Sequence, residues 1–290
     1  MNGIILVDKP QDWTSHDVVA KLRGVLHERR IGHSGTLVPL ATGLLVAFVG
    51  RATRSVEFAE ADSKEYIAGL HLGVSTDTQD ITGNIVAESA ALPDEAALRE
   101  AIGRFIGDVE QIPPMYSAIK IGGKKLYELA RRGESVERAP RKITVSAIDI
   151  AGRDGDDYIL NISCSKGTYV RTLCSDIGEA LGCGACMSSL RRTRAGVFSV
   201  DDAHSLADIE AAVREGRLSD IILPVDTLFA SFPKLTVSQS AAKRLKNGNI
   251  IKISAEDGEY KVYSDSDEFL LLGRVECGKL KTIKSFYEVS

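Results

Sequence analysis

The sequence predicts an α+β protein: a mixed, largely antiparallel sheet flanked by helices, with a small β-rich C-terminal domain. Two observations carry this expectation. Hairpin-like and helical patterns interleave without the strand–helix–strand rhythm of a parallel sheet. After residues 229–233 the pattern then changes to short strand-like pieces, some separated by glycines.

Taken in order, residues 4–7 read as a buried strand closed by Asp8-Lys9-Pro10. Ser15 is placed to cap a helix whose apolar positions Val18, Val19, Leu22, Val25 and Leu26 recur at helical spacing. A polar, glycine-bearing stretch over 32–43 leads into an apolar strand at 44–49, and 65–72 reads as another strand. Asp94 is placed to cap a helix with Ala97, Leu98, Ala101, Ile102 and Phe105 inward. Residues 143–150 and 158–163 alternate around a turn at 152–155, the clearest hairpin signal in the chain. Residues 170–181 are helical in pattern and end at Gly182. Short strands are expected at 250–253, 260–263, 269–274 and 282–287. The expected domains are 1–230 and 231–290, the second too small to be stable without docking on the first.

The 290 residues, 44% hydrophobic and 26% charged, are those of an ordinary globular protein. The start lacks the basic and apolar regions of a signal peptide, and the longest apolar run, 44–49, is too short to cross a bilayer. A cytoplasmic location is expected. Five cysteines (164, 174, 183, 186 and 277), odd in number and irregular in spacing, fit a reduced chain. Cys183 and Cys186 alone have metal-like spacing, and no second pair accompanies them, so no metal is expected.

The net charge of −4 argues against a nucleic-acid partner, but its distribution argues for one. Between 112 and 142 there are eight basic residues (Lys120 and Lys124 among them) and three acidic ones, a surplus of five positive charges. Arg191, Arg192 and Arg194 form a second cluster. Such patches can hold a phosphate backbone, although solvated helix faces look the same. The most unusual segment is 33–43, which carries His33, Ser34, Thr36, Thr42 and two glycines between a helix and a buried strand. A loop on a rigid sheet is a good place for a site, and a polar-capped structural connection is its rival reading.

The stretch Gly32-His-Ser-Gly-Thr-Leu-Val-Pro-Leu-Ala-Thr-Gly43 resembles the signature loop of TruB-type pseudouridine synthases. Other segments match that family in the same order: Asp8-Lys-Pro, Trp13-Thr-Ser15, Gly73-Val-Ser-Thr-Asp-Thr-Gln-Asp80 and Gln111-Ile-Pro-Pro-Met-Tyr-Ser-Ala118. Gly123-Lys-Lys-Leu-Tyr127, Cys164-Ser-Lys-Gly-Thr-Tyr-Val-Arg-Thr172 and Leu190-Arg-Arg192 complete the series. The match runs from about residue 3 to 230; beyond it, only size and strand content resemble the family's small PUA-like RNA-binding domain.

The resemblance implies an enzyme that converts a T-loop uridine of tRNA to pseudouridine without cofactor or metal, and a monomer is expected of a protein that encloses an RNA arm. The N1–C1′ bond breaks, the base turns, and C5 rejoins the sugar. Because the base starts inside folded RNA, it must be flipped into a pocket. By resemblance, His33 fills the space the base leaves, Tyr66 stacks on the uracil, and Leu190 walls the pocket. Arg171 corresponds to the partner of the catalytic carboxylate and Asp80 to a second carboxylate beside it. Lys9, Lys120, Lys124 and Arg191 are candidate phosphate contacts.

One residue departs from the pattern. The family's nucleophilic aspartate stands between Leu and Pro of the signature loop, where this chain has Val38. Valine has neither the lone pair to attack nor the charge to stabilise a cationic sugar. The expectation is an inactive or severely impaired synthase. The alternative is a non-catalytic protein that captures the T loop and helps tRNA fold; a bare scaffold would not need His33, Tyr66, Asp80 and Arg171 together.

Overall fold

The computed structural model describes residues 1–59, 63–117 and 119–287. Ala118, which ends one of the motifs, and the last three residues of the C-terminal segment lie outside the described residues.

The chain begins with β1 (Gly3–Lys9), α1 (Ser15–Leu26), β2 (Ile31–Ser34), β3 (Thr42–Val49), α2 (Val56–Ala59) and β4 (Lys64–Leu72). A hairpin of β5 (Val74–Thr76) and β6 (Ile85–Glu88), then α3 (Glu95–Gly103) and β7 (Gly107–Gln111), follow. A small hairpin, β8 (Lys120–Ile121) and β9 (Lys124–Lys125), precedes α4 (Leu126–Ala130). Next come β10 (Arg141–Asp154), β11 (Asp157–Cys164), α5 (Val170–Ala180), β12 (Ala185–Ala195), β13 (Phe198–Ser199) and α6 (Leu206–Arg214). The C-terminal segment holds β14 (Lys234–Val237), α7 (Gln239–Lys246), β15 (Ile251–Lys252), β16 (Gly258–Ser264), β17 (Phe269–Glu276) and β18 (Lys279–Ser285).

The main sheet has the order β1-β3-β12-β4-β11-β10-β7, with β2 added to β3 and β13 to β12. It is antiparallel except where β3 meets β12, a parallel contact carried by Thr42↔Arg191 and Gly43↔Arg192. The continuous apolar run of β3 has a reason: both its faces are covered. Leu45, Ala47 and Val49 pack with α1 and α6. Leu44, Val46 and Phe48 pack on the opposite side with Phe229, Leu272 and Phe286. A further core lies where α3 and α5 cover β4, β11 and β10.

β14 to β18 form a separate five-stranded sheet with its own apolar cluster. It docks on the main sheet through aromatic rings. Phe229 meets Phe58, Phe269 and Phe286 at centroid distances of 5.3, 6.2 and 5.7 Å.

Two local expectations are corrected. Thr14, not Ser15, caps α1: its hydroxyl accepts from the Asp17 amide while Asp17 accepts from the Thr14 amide. Ser15 is instead wholly buried, and its hydroxyl accepts from the Leu37 amide (2.9 Å) and donates to the Leu37 carbonyl (3.2 Å). The hairpin does not turn at 152–155. Strand pairing runs on to Asp154↔Asp157, so Gly155 and Asp156 make the turn, and Gly155 takes the left-handed φ of 57° it requires.

Candidate active site

A cavity of about 320 Å³ opens between β4, β12, the link from β2 to β3 and the segment that leads into α5. Val38, Tyr66, Arg171 and Leu190 all line it, so four residues expected to share a pocket do so. Each arrives on a different element. Val38 lies in the link between β2 and β3, which is held to α1 by the Ser15–Leu37 bonds. Tyr66 is on β4, Arg171 in the first turn of α5, and Leu190 on β12.

A cation in the first turn of a helix opposes the helix dipole, so Arg171 needs local compensation. It has some. Its Nη1 lies 3.5 Å from Asp80 Oδ2, both side chains being buried, and its Nη2 donates to the Tyr116 carbonyl. Burial holds the guanidinium below its usual range, and Asp80 opposes that shift. Asp80 does not itself line the cavity. Its other oxygen accepts from the Thr78 hydroxyl (3.0 Å) and the Thr82 amide (3.1 Å), which fixes it behind Arg171. Asp80 is thus the arginine's carboxylate partner among the described residues, held away from the space a substrate would occupy.

The sequence reasoning passed over Arg192 as a site residue. It is 1% exposed, lines the cavity, and donates from Nε to the Leu44 carbonyl at 2.7 Å. It also hydrogen-bonds Tyr66, whose hydroxyl burial pushes up and Arg192 pulls back. The signal for it was strand parity. β12 pairs Leu190↔Ala68, Arg191↔Ile67 and Arg192↔Tyr66, so Leu190 and Arg192 share a face while Arg191 points the other way. The glycines of the signature loop answer to the same residue. At Gly35 (φ 64°) a Cβ would come within 2.8 Å of Arg192 Nη1; at Gly43 (φ 91°) it would come within 2.3 Å of the Arg192 carbonyl oxygen. Both positions need a left-handed backbone and the closest approach that only glycine allows.

Other expected residues stand apart. His33 is on β2, adjacent to the cavity but not in its wall. Its ring lies edge-on to His16 at 5.6 Å, and its Nδ1 is buried without a protein partner. Burial, with the nearby His16 and Arg192, pushes its pKa down to about 4. Lys120 and Lys124 face each other's strand neighbours on the exposed β8–β9 hairpin. Arg191 makes a two-point ion pair with Asp8, at 3.0 and 2.8 Å.

Lys9 corrects its expectation as a phosphate contact. It is fully buried, and its ammonium donates to the carbonyls of Pro10 (2.8 Å), Trp13 (2.6 Å) and Pro39 (3.4 Å). Burial pushes its pKa down to about 8. A lysine so enclosed ties the signature loop to β1 and leaves no donor for RNA.

Solved structures of the same fold place this architecture in a class. The chain is similar to a Cbf5-Nop10-Gar1 complex (TM-score 0.75, 27% identity, 98% of this chain and 84% of that one). It is equally similar to an H/ACA RNP bound to a substrate RNA containing 2′-deoxyuridine (TM-score 0.74, 25% identity, 99% and 85%). The fold is that of the pseudouridine synthases with a PUA-like C-terminal region.

The sequence comparisons narrow the class. Residues 23–170 match the N-terminal domain of TruB family pseudouridylate synthases, and 171–230 match the C-terminal domain of tRNA pseudouridylate synthase B. A tRNA pseudouridine synthase B of Alkaliphilus oremlandii is 47% identical over 253 residues, 87% of this chain and 83% of its own. One of Clostridium kluyveri is 37% identical over 292 residues, 99% of this chain and 100% of its own. The chain belongs to the TruB family of pseudouridine synthases, a family of isomerases that act in tRNA processing. Among the described residues, no helix is long and apolar enough to cross a membrane.

Proposed function

We propose that this protein captures the T loop of tRNA, flips its uridine into the cavity, and holds it there with little or no isomerisation. The observation that carries this reading is Val38 in the cavity wall, with Tyr66, Arg171 and Leu190 around it. The wall supplies stacking, apolar contact and positive charge, all of which serve to bind a flipped base beside its phosphates. Among the described residues it supplies no carboxylate. Asp80, the arginine's carboxylate partner among the described residues, is held by Arg171, Thr78 and Thr82 behind the wall. With no side chain to attack the nucleotide or offset a cationic sugar, the glycosidic bond stays intact.

The RNA arm would cross the exposed β8–β9 hairpin with Lys120 and Lys124 and approach Arg191 at the far side of β12. Residues 231–290 would act as a second, PUA-like RNA-binding domain beside a catalytic domain of 1–230. The protein would do this as a cytoplasmic monomer, without a metal or cofactor.

A tritium-release assay on a T-loop stem-loop carrying tritiated uracil tests the chemistry. The protein should release tritium at background rate while binding the stem-loop in a salt-sensitive way. Val38→Asp should raise the rate by several powers of ten, the general scale for restoring a nucleophile. Turnover at full rate with Val38 in place would overturn the inactive reading. An inactive Val38→Asp that still binds RNA favours a dedicated binding protein whose pocket has drifted.

A further inference from the structure

Arg171 stands in the first turn of α5, where the helix itself offers a cation no support. That turn has no acidic residue, and Tyr169, which precedes it, provides no side-chain cap. A positive charge there meets the positive end of the helix dipole. The turn is held from outside instead, by two glutamine side chains at residues that flank Arg171 in the chain.

Gln111 ends β7 and is 3% exposed. Its Oε1 accepts from the Tyr169 amide (2.8 Å), and its Nε2 donates to the Tyr169 carbonyl (3.1 Å). One side-chain amide thus grips both polar groups of the residue whose carbonyl also accepts from the Leu173 amide, at the start of the helical ladder. Gln79 holds the other flank. Its Oε1 accepts from the Thr172 hydroxyl at 2.7 Å, and its carbonyl accepts from the amide of Met187, which lines the cavity. A threonine hydroxyl in a helix ordinarily turns back on its own backbone, so this outward bond is a choice between partners. Gln79 also has a φ of 65°, a left-handed conformation that glutamine rarely adopts. Strained backbone of this kind persists where the surrounding structure makes use of it. The pairs Gln79–Thr172 and Asp80–Arg171 are consecutive in both segments, so the loop carrying Asp80 and the turn carrying Arg171 are joined twice.

We propose that Gln79 and Gln111 are positioning residues whose side-chain amides bracket the first turn of α5 and hold Arg171 in the cavity wall. The ion pair with Asp80, at 3.5 Å, is longer than an ordinary charge-assisted hydrogen bond. The placement of the turn therefore sets where the guanidinium lies. The bracket deepens the proposed function and rests on it only for its effect on RNA.

The nitrogen–proton NMR signal of the Arg171 Nε, assigned through its loss in Arg171→Lys, tests the bracket without RNA. Thr172→Val keeps the shape and removes the hydroxyl, and Gln111→Met keeps the length and removes both amide bonds. Each should move the Arg171 signal toward the position of the exposed arginines, and Thr172→Ser should leave it in place. Gln79→Gly removes the backbone strain together with the amide, so the unfolding midpoint should change little while the signal still moves. Ser205→Ala, which uncaps α6 in a different apolar cluster, costs stability and should not shift it. A signal unchanged in Thr172→Val and Gln111→Met overturns the proposal. A shift in Ser205→Ala equal to theirs overturns it too, because the effect would then be lost stability alone. Affinity for a T-loop stem-loop should fall about fivefold in Thr172→Val, the scale of one neutral hydrogen bond, and be kept in Thr172→Ser. A stem-loop that the unmutated protein does not bind would refute the T-loop reading and leave the Arg171 signal to decide this one.

Discussion

A single ring nitrogen of His33 reports on how dry the site is. Its pKa, pushed down to about 4 by burial, means the folded protein stays neutral where the unfolded chain, with an ordinary value of 6.5, takes a proton. Stability from this residue is therefore full above about pH 6.5 and is lost as the pH falls toward 4. The loss reaches about 3 kcal/mol at most. The Cε1 proton resonance of His33 should show no titration between pH 8 and 5, and His33→Asn should flatten the acid side of the stability curve. A His33 midpoint near 6.5 would contradict the buried environment. Residues of this kind divide sharply in legibility. Val38, Arg171 and Leu190 could be placed together because each sits in a motif matched to the family, and Tyr66 because it stands at the start of a legible strand. Lys9 was misjudged because a lysine next to a proline looks exposed, and nothing local reveals three carbonyls converging on it.

At the scale of an element, α1 does two jobs at adjacent positions. Thr14 caps it, and Ser15 staples the signature loop to it. Thr14→Ala should cost about 1 kcal/mol in thermal unfolding and leave RNA affinity unchanged. Ser15→Ala strands the Leu37 amide and carbonyl, and should cost about 1–3 kcal/mol. It should also weaken stem-loop binding, because the loop carrying Val38 loses its anchor. Equal RNA affinity in both variants would remove that distinction. The same scale shows what pattern alone could not deliver. β3 was legible because a strand buried on both faces is apolar throughout. β12, at the centre of the sheet, was not: Ala185-Cys-Met-Ser-Ser-Leu-Arg-Arg-Thr-Arg-Ala195 breaks period two, with register shifts at Met187/Ser189 and Arg192/Arg194. Bulges of that kind erase alternation while re-aiming side chains at a site.

Across the whole molecule, Phe229 joins the two sheets. It is 1% exposed and contacts the rings of Phe58, Phe232, Phe269 and Phe286. Phe229→Ala should cost about 3–5 kcal/mol. In calorimetry it should split one unfolding transition into two as the C-terminal sheet uncouples. One cooperative transition in the variant would show that other contacts suffice. The change in character near 229–233 was readable in the sequence, but the rings that cross it were not, since Phe269 and Phe286 become neighbours of Phe229 only after both sheets form.

The parallel contact between β3 and β12 has a kinetic meaning. The Thr42 hydroxyl beside it donates to the Leu190 carbonyl, 148 positions along the chain. Hairpins such as β10–β11 close over a few residues and gain their bonds early, whereas this seam waits until nearly two-thirds of the chain has been organised. β12, which carries Leu190 and Arg192 into the cavity wall, therefore joins the sheet later than the local hairpins form. A chain that has not finished folding presents no pocket to RNA, and capture of a stem-loop becomes a readout of complete assembly.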